Sequence, residues 1–322
     1  MSPRLITAIL VAIVLSLVLR APPSASDRPV RDFAIYYGPG RLGDLAEFDL
    51  VILSPLLDEE DVRWLNRRGV LTVGYLSLTT VGSWEPWAGD IEPDWVVGEL
   101  LDWGEAVVNA CEPGWRSLLL EKAIPHLVRK GFKGILLDNV DVADDYPWMA
   151  KAIVGLIRAV RSRWPDLFLI QNRGFSILNQ TASLLNAILY EDFGTYYNFT
   201  TNRYEKLSGR QLAELESTSE WLSDLRSRYG LLVLALGYAD PSDLAQMADF
   251  MAFVDSLAQR YGFIPYVSDV DLSYLNMAYA GFSFLTWRDF WWSFLLSLSS
   301  LTPFFSLLAI MAYHITLGRR VD

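Results

Sequence analysis

The sequence predicts an α/β fold, a (β/α)8 barrel, on three observations. Eight short, β-rich apolar runs recur along the chain, separated by helical patterns. Continuous apolar runs of this kind are what parallel strands buried on both faces look like. Polar and acidic residues close the runs, and active sites of this fold gather at the C-terminal ends of the strands. The length of 322 residues admits one large domain or two ordinary ones, and single barrels commonly run to about 250 residues.

In chain order the runs are residues 33–37 (FAIYY), 50–53 (LVIL), 71–77 (LTVGYLS) and 134–138 (GILLD). They continue at 167–172 (LFLIQN), 187–191 (AILYE), 231–238 (LLVLALGY) and 262–268 (GFIPYVS). Helices are predicted over 115–130, 148–164 and 247–261, the last two with visible apolar faces. Eight alternating units suggest a closed barrel more than an open doubly wound sheet. The third connection, 78–131, is much the longest and holds Trp84, Trp87, Trp95, Trp103 and Trp115. The sequence contains no phosphate loop, dinucleotide fingerprint or short internal repeat.

Both ends are apolar. Residues 5–19 form an uncharged run between Arg4 and Arg20, and Ser24-Ala25-Ser26 offers small residues for cleavage. This fits a signal peptide, with an uncleaved N-terminal anchor as the close alternative. Residues 290–318 carry no Asp, Glu, Lys or Arg, follow Trp287, and end at Arg319-Arg320. Together with Trp291 and Trp292 this reads as a transmembrane helix, kinked at Pro303, with the C-terminus cytoplasmic. The alternative is a buried core helix. The expected organisation is therefore a signal or anchor (1–26), an extracytoplasmic barrel (27–280) and a C-terminal membrane anchor (281–322).

The formal net charge of −11 argues against a nucleic-acid partner, which needs a basic face. It equally discourages contact with an anionic membrane surface or a polyanionic substrate. Cys111 is the only cysteine, so neither an intrachain disulfide nor a cysteine-pair zinc site is expected. His126 and His314 lie far apart without triad or metal-ligand spacing, and no cofactor is implied. Asn179-Gln180-Thr181 and Asn198-Phe199-Thr200 are glycosylation sequons that agree with an exposed domain.

Candidate site residues cluster at the predicted strand ends: Tyr75, Asp138, Asn139, Asp141, Asn172, Arg173, Glu191, Asp192, Tyr238, Tyr266 and Asp269. An acid closing a buried strand is costly unless paired or functional, although any one of them serves equally to cap the next helix. Asp138 and Glu191 stand out because both follow clean apolar runs. The acidic run through Asp144-Asp145 lacks the glycine and terminal glutamate of a calcium loop, so no metal is expected.

These motifs resemble the endo-α-1,4-polygalactosaminidase family, glycoside hydrolase family 114, over approximately residues 32–274. Residues 131–141 (GFKGILLDNVD) resemble its fourth-strand signature, and 171–175 (QNRGF) its fifth-strand "NRG" motif. Tyr190-Glu191 matches the sixth-strand position of a second catalytic carboxylate. Residues 74–77 with Trp84, and 262–269, resemble the third- and eighth-strand regions. Leu137 replaces a proline usual in the polygalactosaminidase branch, and Asn109 stands where an aspartate is common.

The resemblance implies Asp138 as nucleophile and Glu191 as acid/base, although the residues alone leave the two roles open. Two carboxyls flanking a glycosidic bond serve an oxocarbenium-like transition state, about 5–5.5 Å apart for retention and about 6.5–9.5 Å for inversion. Asn139 and Asp141 are expected to orient the nucleophile or hold sugar hydroxyls. Arg173 is expected to keep Asp138 ionised, and Asn172 and Asp269 to contact substrate. Tyr75, Trp84, Tyr238 and Tyr266 are candidate sugar platforms, with loop packing an equal alternative for Trp84 and Trp87. The expected partner is a poly- or oligosaccharide. The rival reading is a non-catalytic sugar-binding or envelope-structural barrel.

Overall fold

The computed structural model describes residues 29–281. The membrane segments expected at 5–19 and 290–318 lie outside them, and among the described residues no helix is long and apolar enough to cross a membrane.

The strands are β1 (Phe33–Tyr36), β2 (Leu50–Leu53), β3 (Leu71–Ser77), β4 (Thr80–Val81), β5 (Val96–Leu100) and β6 (Glu105–Val108). They continue with β7 (Gly134–Asp138), β8 (Phe168–Asn172), β9 (Ala187–Glu191), β10 (Thr195–Asn198), β11 (Arg203–Lys206), β12 (Leu232–Tyr238) and β13 (Ile264–Ser268). Eight of them form one sheet in the order β1-β2-β3-β7-β8-β9-β12-β13, and every neighbouring pair is parallel. Four predicted runs coincide with these strands, and the other four differ by one or two residues at an end.

The sheet is nearly closed. Among the described residues no ladder joins β1 to β13. The Phe33 and Tyr266 rings meet there at 5.4 Å, and the Tyr37 N–H donates to the Leu272 carbonyl at 2.7 Å. Among the described residues the chain then descends along this seam, with only the short turn Met277–Tyr279 as helix. Asn276 donates through its side chain to the Val267 carbonyl at 2.9 Å, and its N–H to the Tyr266 hydroxyl at 3.0 Å. Below that, the Tyr279 hydroxyl donates to Asp255 at 2.9 Å, and the Gly281 N–H faces the Asp32 carboxyl.

Side chains two apart on a strand share a face, so three of the barrel strands stack a leucine under their terminal inward residue. Leu136 lies below Asp138, Leu189 below Glu191 and Leu236 below Tyr238; all six line one pocket. Gly134 opens β7 because a Cβ there would sit 2.5 Å from the Phe168 carbonyl oxygen.

The predicted helix over 115–130 is broken into Pro113–Leu118, a π-turn at Leu119–Ala123, and Ile124–Lys130. Pro125 has no N–H for the regular helical bond, and the wider turn accommodates it. The helix Leu244–Tyr261 starts three residues earlier than predicted, where the Asp243 carboxylate accepts from the N–H groups of Ala245 and Gln246. Two small sheets were not predicted. The antiparallel β4-β6-β5 fills the third connection, and the β10-β11 hairpin follows β9.

Candidate active site

The barrel mouth is shaped by one backbone device used three times. Asn139, Arg173 and Asp192 each follow the last residue of a strand, and each is left-handed, with φ of 55°, 46° and 58°. That conformation costs a non-glycine residue about 1–2 kcal/mol. It turns the chain sharply outward, so that Asp138, Asn172 and Glu191 all line a pocket of about 580 Å³.

Asn172 ties the two acids together. Its Nδ2 donates to Asp138 Oδ1 at 2.7 Å and to Glu191 Oε2 at 2.6 Å. Those two oxygens are therefore separated by no more than the sum of the contacts, about 5.3 Å. The second Glu191 oxygen, Oε1, accepts from the Tyr238 hydroxyl. Asp138 Oδ2 has a long 3.5 Å contact from Asn139 Nδ2, and the Tyr75 hydroxyl and the Asn139 N–H also face this carboxyl. Burial, then the adjacent Glu191 charge, push Asp138 up to about 7, against the opposing Asn172 hydrogen bond. Asp138 therefore keeps its proton up to near neutrality, well above the ordinary carboxylate range.

Arg173 does not contact Asp138, contrary to expectation. It spans the rim instead, 3.2 Å from Asp192 and 3.6 Å from Asp141. The side chain leaves β8 outward because its backbone is the left-handed one. Burial and Glu191 raise Asp192 to about 7, while Arg173 opposes the shift. Asp141 is raised by burial and lowered by Arg173.

Asn139 turns towards the third connection. Its Nδ2 donates to Thr80 Oγ1 at 2.9 Å and to Ser77 Oγ at 3.1 Å, and Thr80 Oγ1 donates to Glu105 at 2.7 Å. Beyond lie the aromatics. Tyr75 packs between Tyr37 and Trp84, with ring centroids at 5.7 and 5.9 Å, and Trp84 is 44% exposed at the mouth. Trp87, three residues on, is buried.

Two expectations are corrected. Tyr266 is fully buried and packs on Phe33, Phe48 and Tyr279 at the seam, so it is no sugar platform. Asp269 accepts from the Ser273 and Tyr274 N–H groups, both at 2.8 Å. It organises the loop after β13 and does not line the pocket.

Several lining residues escaped the sequence reading: Tyr37, Glu105, Tyr197, Phe199 and Asp271, with Trp103 noted only as part of a loop. Trp103, in the β5–β6 turn, meets Phe199, in the β10–β11 turn, with ring centroids at 5.5 Å. The tips of two hairpins from distant connections thus meet beside the pocket. Tyr37 ends a predicted strand, which was its one available signal; the hairpin residues had none.

The fold is shared with solved structures. The glycoside hydrolase domain of PelA from Pseudomonas aeruginosa superposes with a TM-score of 0.66 at 23% identity, over 77% of this chain and 98% of that one. Ega3 from Aspergillus fumigatus, in complex with galactosamine, gives 0.58 at 15% identity, over 76% and 94%. At these identities the likeness is one of fold. Comparison with curated protein sequences gave no match. The sequence model of glycoside-hydrolase family GH114 matches residues 23–283. With the match spanning most of the sequence, the chain belongs to glycoside-hydrolase family GH114 and is an enzyme of the glycoside hydrolase class.

Proposed function

We propose that this enzyme is a membrane-tethered, extracytoplasmic hydrolase that cleaves an α-linked amino-sugar polysaccharide with retention of configuration. The observation that carries the reading is the Asn172 bridge. A gap of at most about 5.3 Å between the bridged oxygens fits the spacing of retaining enzymes and leaves little room for the water of an inverting one. Asp138 attacks the anomeric carbon while Glu191 protonates the departing glycosidic oxygen, giving a glycosyl ester. Glu191 then takes a proton from water, whose oxygen attacks the same carbon and releases Asp138. The first step needs Asp138 ionised, and the Asn172 hydrogen bond, which opposes the rise caused by burial and Glu191, favours that state. The two roles follow the family resemblance.

The amino-sugar reading draws on charge. Glu105, Asp138, Asp141, Glu191, Asp192 and Asp271 line the pocket, and Arg173 is the one basic residue among the described lining residues. Such a wall favours cationic ammonium groups over carboxylated sugars. The galactosamine bound to Ega3 agrees with this choice. The tether draws on the apolar runs at 5–19 and 290–318 and on Arg319-Arg320.

The test offers the protein partly de-N-acetylated α-1,4-linked galactosamine oligomers and follows the product anomer by NMR. Retained α-configuration is expected, with turnover falling about 10³-fold in Asp138→Asn and in Glu191→Gln. An inverted first product, or full turnover in either variant, would overturn the mechanism.

A further inference from the structure

We propose that the barrel stands on the bilayer with its N-terminal face, the end opposite the pocket, against anionic lipid headgroups. This rests on the tether of the preceding section and adds an orientation and a lipid partner to it. Two independent features carry it.

The first is where the described chain begins and ends. Asp32 directly precedes β1 and Asp49 directly precedes β2, so both lie at the start of the strands, the end away from the pocket. Arg31 pairs with Asp49 at 2.9 Å, Asp32 accepts from the Asp49 N–H at 2.7 Å, and the Gly281 N–H faces Asp32. The two limits of the described residues therefore lie together on that face. The apolar run at 290 starts nine residues beyond Gly281, a reach of at most roughly 30 Å. A link that short keeps this end, rather than the mouth, near the bilayer.

The second is charge. Barrel helices run antiparallel to the strands, so their last turns and the loops into the next strand share the same face. Arg67, Arg68, Arg129, Lys133, Arg226 and Arg228 stand there exposed. None of them is in an ion pair among the described residues. Helix dipoles account for the arginines in last turns, but Arg68 and Lys133 lie outside the helices. The acids of these loops are few. Asp49 is held by Arg31 and Asp32 is buried, leaving Glu47 and Asp166 exposed. The net charge of −11 thus hides a polar distribution, with a cationic base suited to anionic headgroups and an acidic mouth that they repel.

The experiment uses the full chain, in a Cys111→Ser background, reconstituted into vesicles of phosphatidylcholine with phosphatidylglycerol and nitroxide-labelled headgroups. A fluorophore is placed at Ser227→Cys on the base or Ser242→Cys on the mouth side; both positions are exposed. Quenching at 227 is expected to exceed that at 242 by about fivefold. Arg226→Glu with Arg228→Glu is expected to cut the quenching at 227 by about half, and glycan hydrolysis to stay unchanged. Equal or reversed quenching in protein that floats with the vesicles would overturn the orientation and leave the tether standing. Protein that fails to float would overturn the tether, and the orientation with it.

Discussion

Asn172 directs both amide hydrogens at carboxylates, and its carbonyl oxygen stays buried without a hydrogen-bond donor among the described residues. An unmet buried acceptor costs about 1–3 kcal/mol, a cost the site bears because the amide spaces and polarises both acids. Asn172→Ala is therefore expected to lower kcat about 10²-fold while changing KM little. Since the Asn172 bond opposes the rise of Asp138, its loss moves the acid limb of the kcat/KM profile to higher pH. Glu85 offers a contrasting case away from the chemistry. Both its oxygens are buried without partners, the Trp87 indole lies against it without hydrogen-bond geometry, and burial with nearby Glu105 raises it to about 8. Between the ordinary carboxylate range and that value the folded protein holds a proton the unfolded chain has released. Its contribution to stability is therefore full below about pH 4 and is lost as pH rises through about 8. Glu85→Gln, which cannot ionise, is expected to raise Tm at about pH 9 by several degrees more than at about pH 5.

At the scale of elements, the site owes most to turns and hairpins. The three left-handed turns after β7, β8 and β9 aim the strand-end side chains, and the two inserted hairpins build the pocket's outer wall. An exposed aromatic pair such as Trp103 with Phe199 contributes about 0.5–1.5 kcal/mol beyond its buried area. Trp103→Ala is expected to raise KM several-fold for long oligomers, leave kcat near its original value and barely affect disaccharide-sized substrates. Steady-state kinetics against chain length checks this. Legibility divided along the same line. Asp138, Asn172 and Glu191 close runs buried on both faces, a pattern visible without neighbours. Strand β5 (VVGEL) is half exposed and β10-β11 pairs only with itself, so neither has a continuous apolar signal. Trp84 and Trp87 differ only in where a long loop folds back. Tyr266 lies within, and Asp269 just beyond, a strand whose C-terminal end was predicted, yet they serve the seam and a turn.

For the whole molecule, the eightfold alternation was legible because each run is local. The manner of closure was not, since β1 and β13 meet across almost the entire described chain. Charge behaved likewise. The net value was plain, and its separation into two faces needed the direction of every helix. The seam has a mechanical consequence. Asp32 and Gly281, near the two limits of the described residues, lie on either side of the one strand junction among them that lacks a ladder. Under the proposed tether, tension drawn between the base and a glycan held in the pocket is delivered there first. Pulled by its two ends in an optical trap, the protein is expected to yield initially by peeling residues 269–281 from the barrel, a step of roughly 40 Å. The buckle, rather than the strand ladders, then sets how much load the enzyme bears while it works.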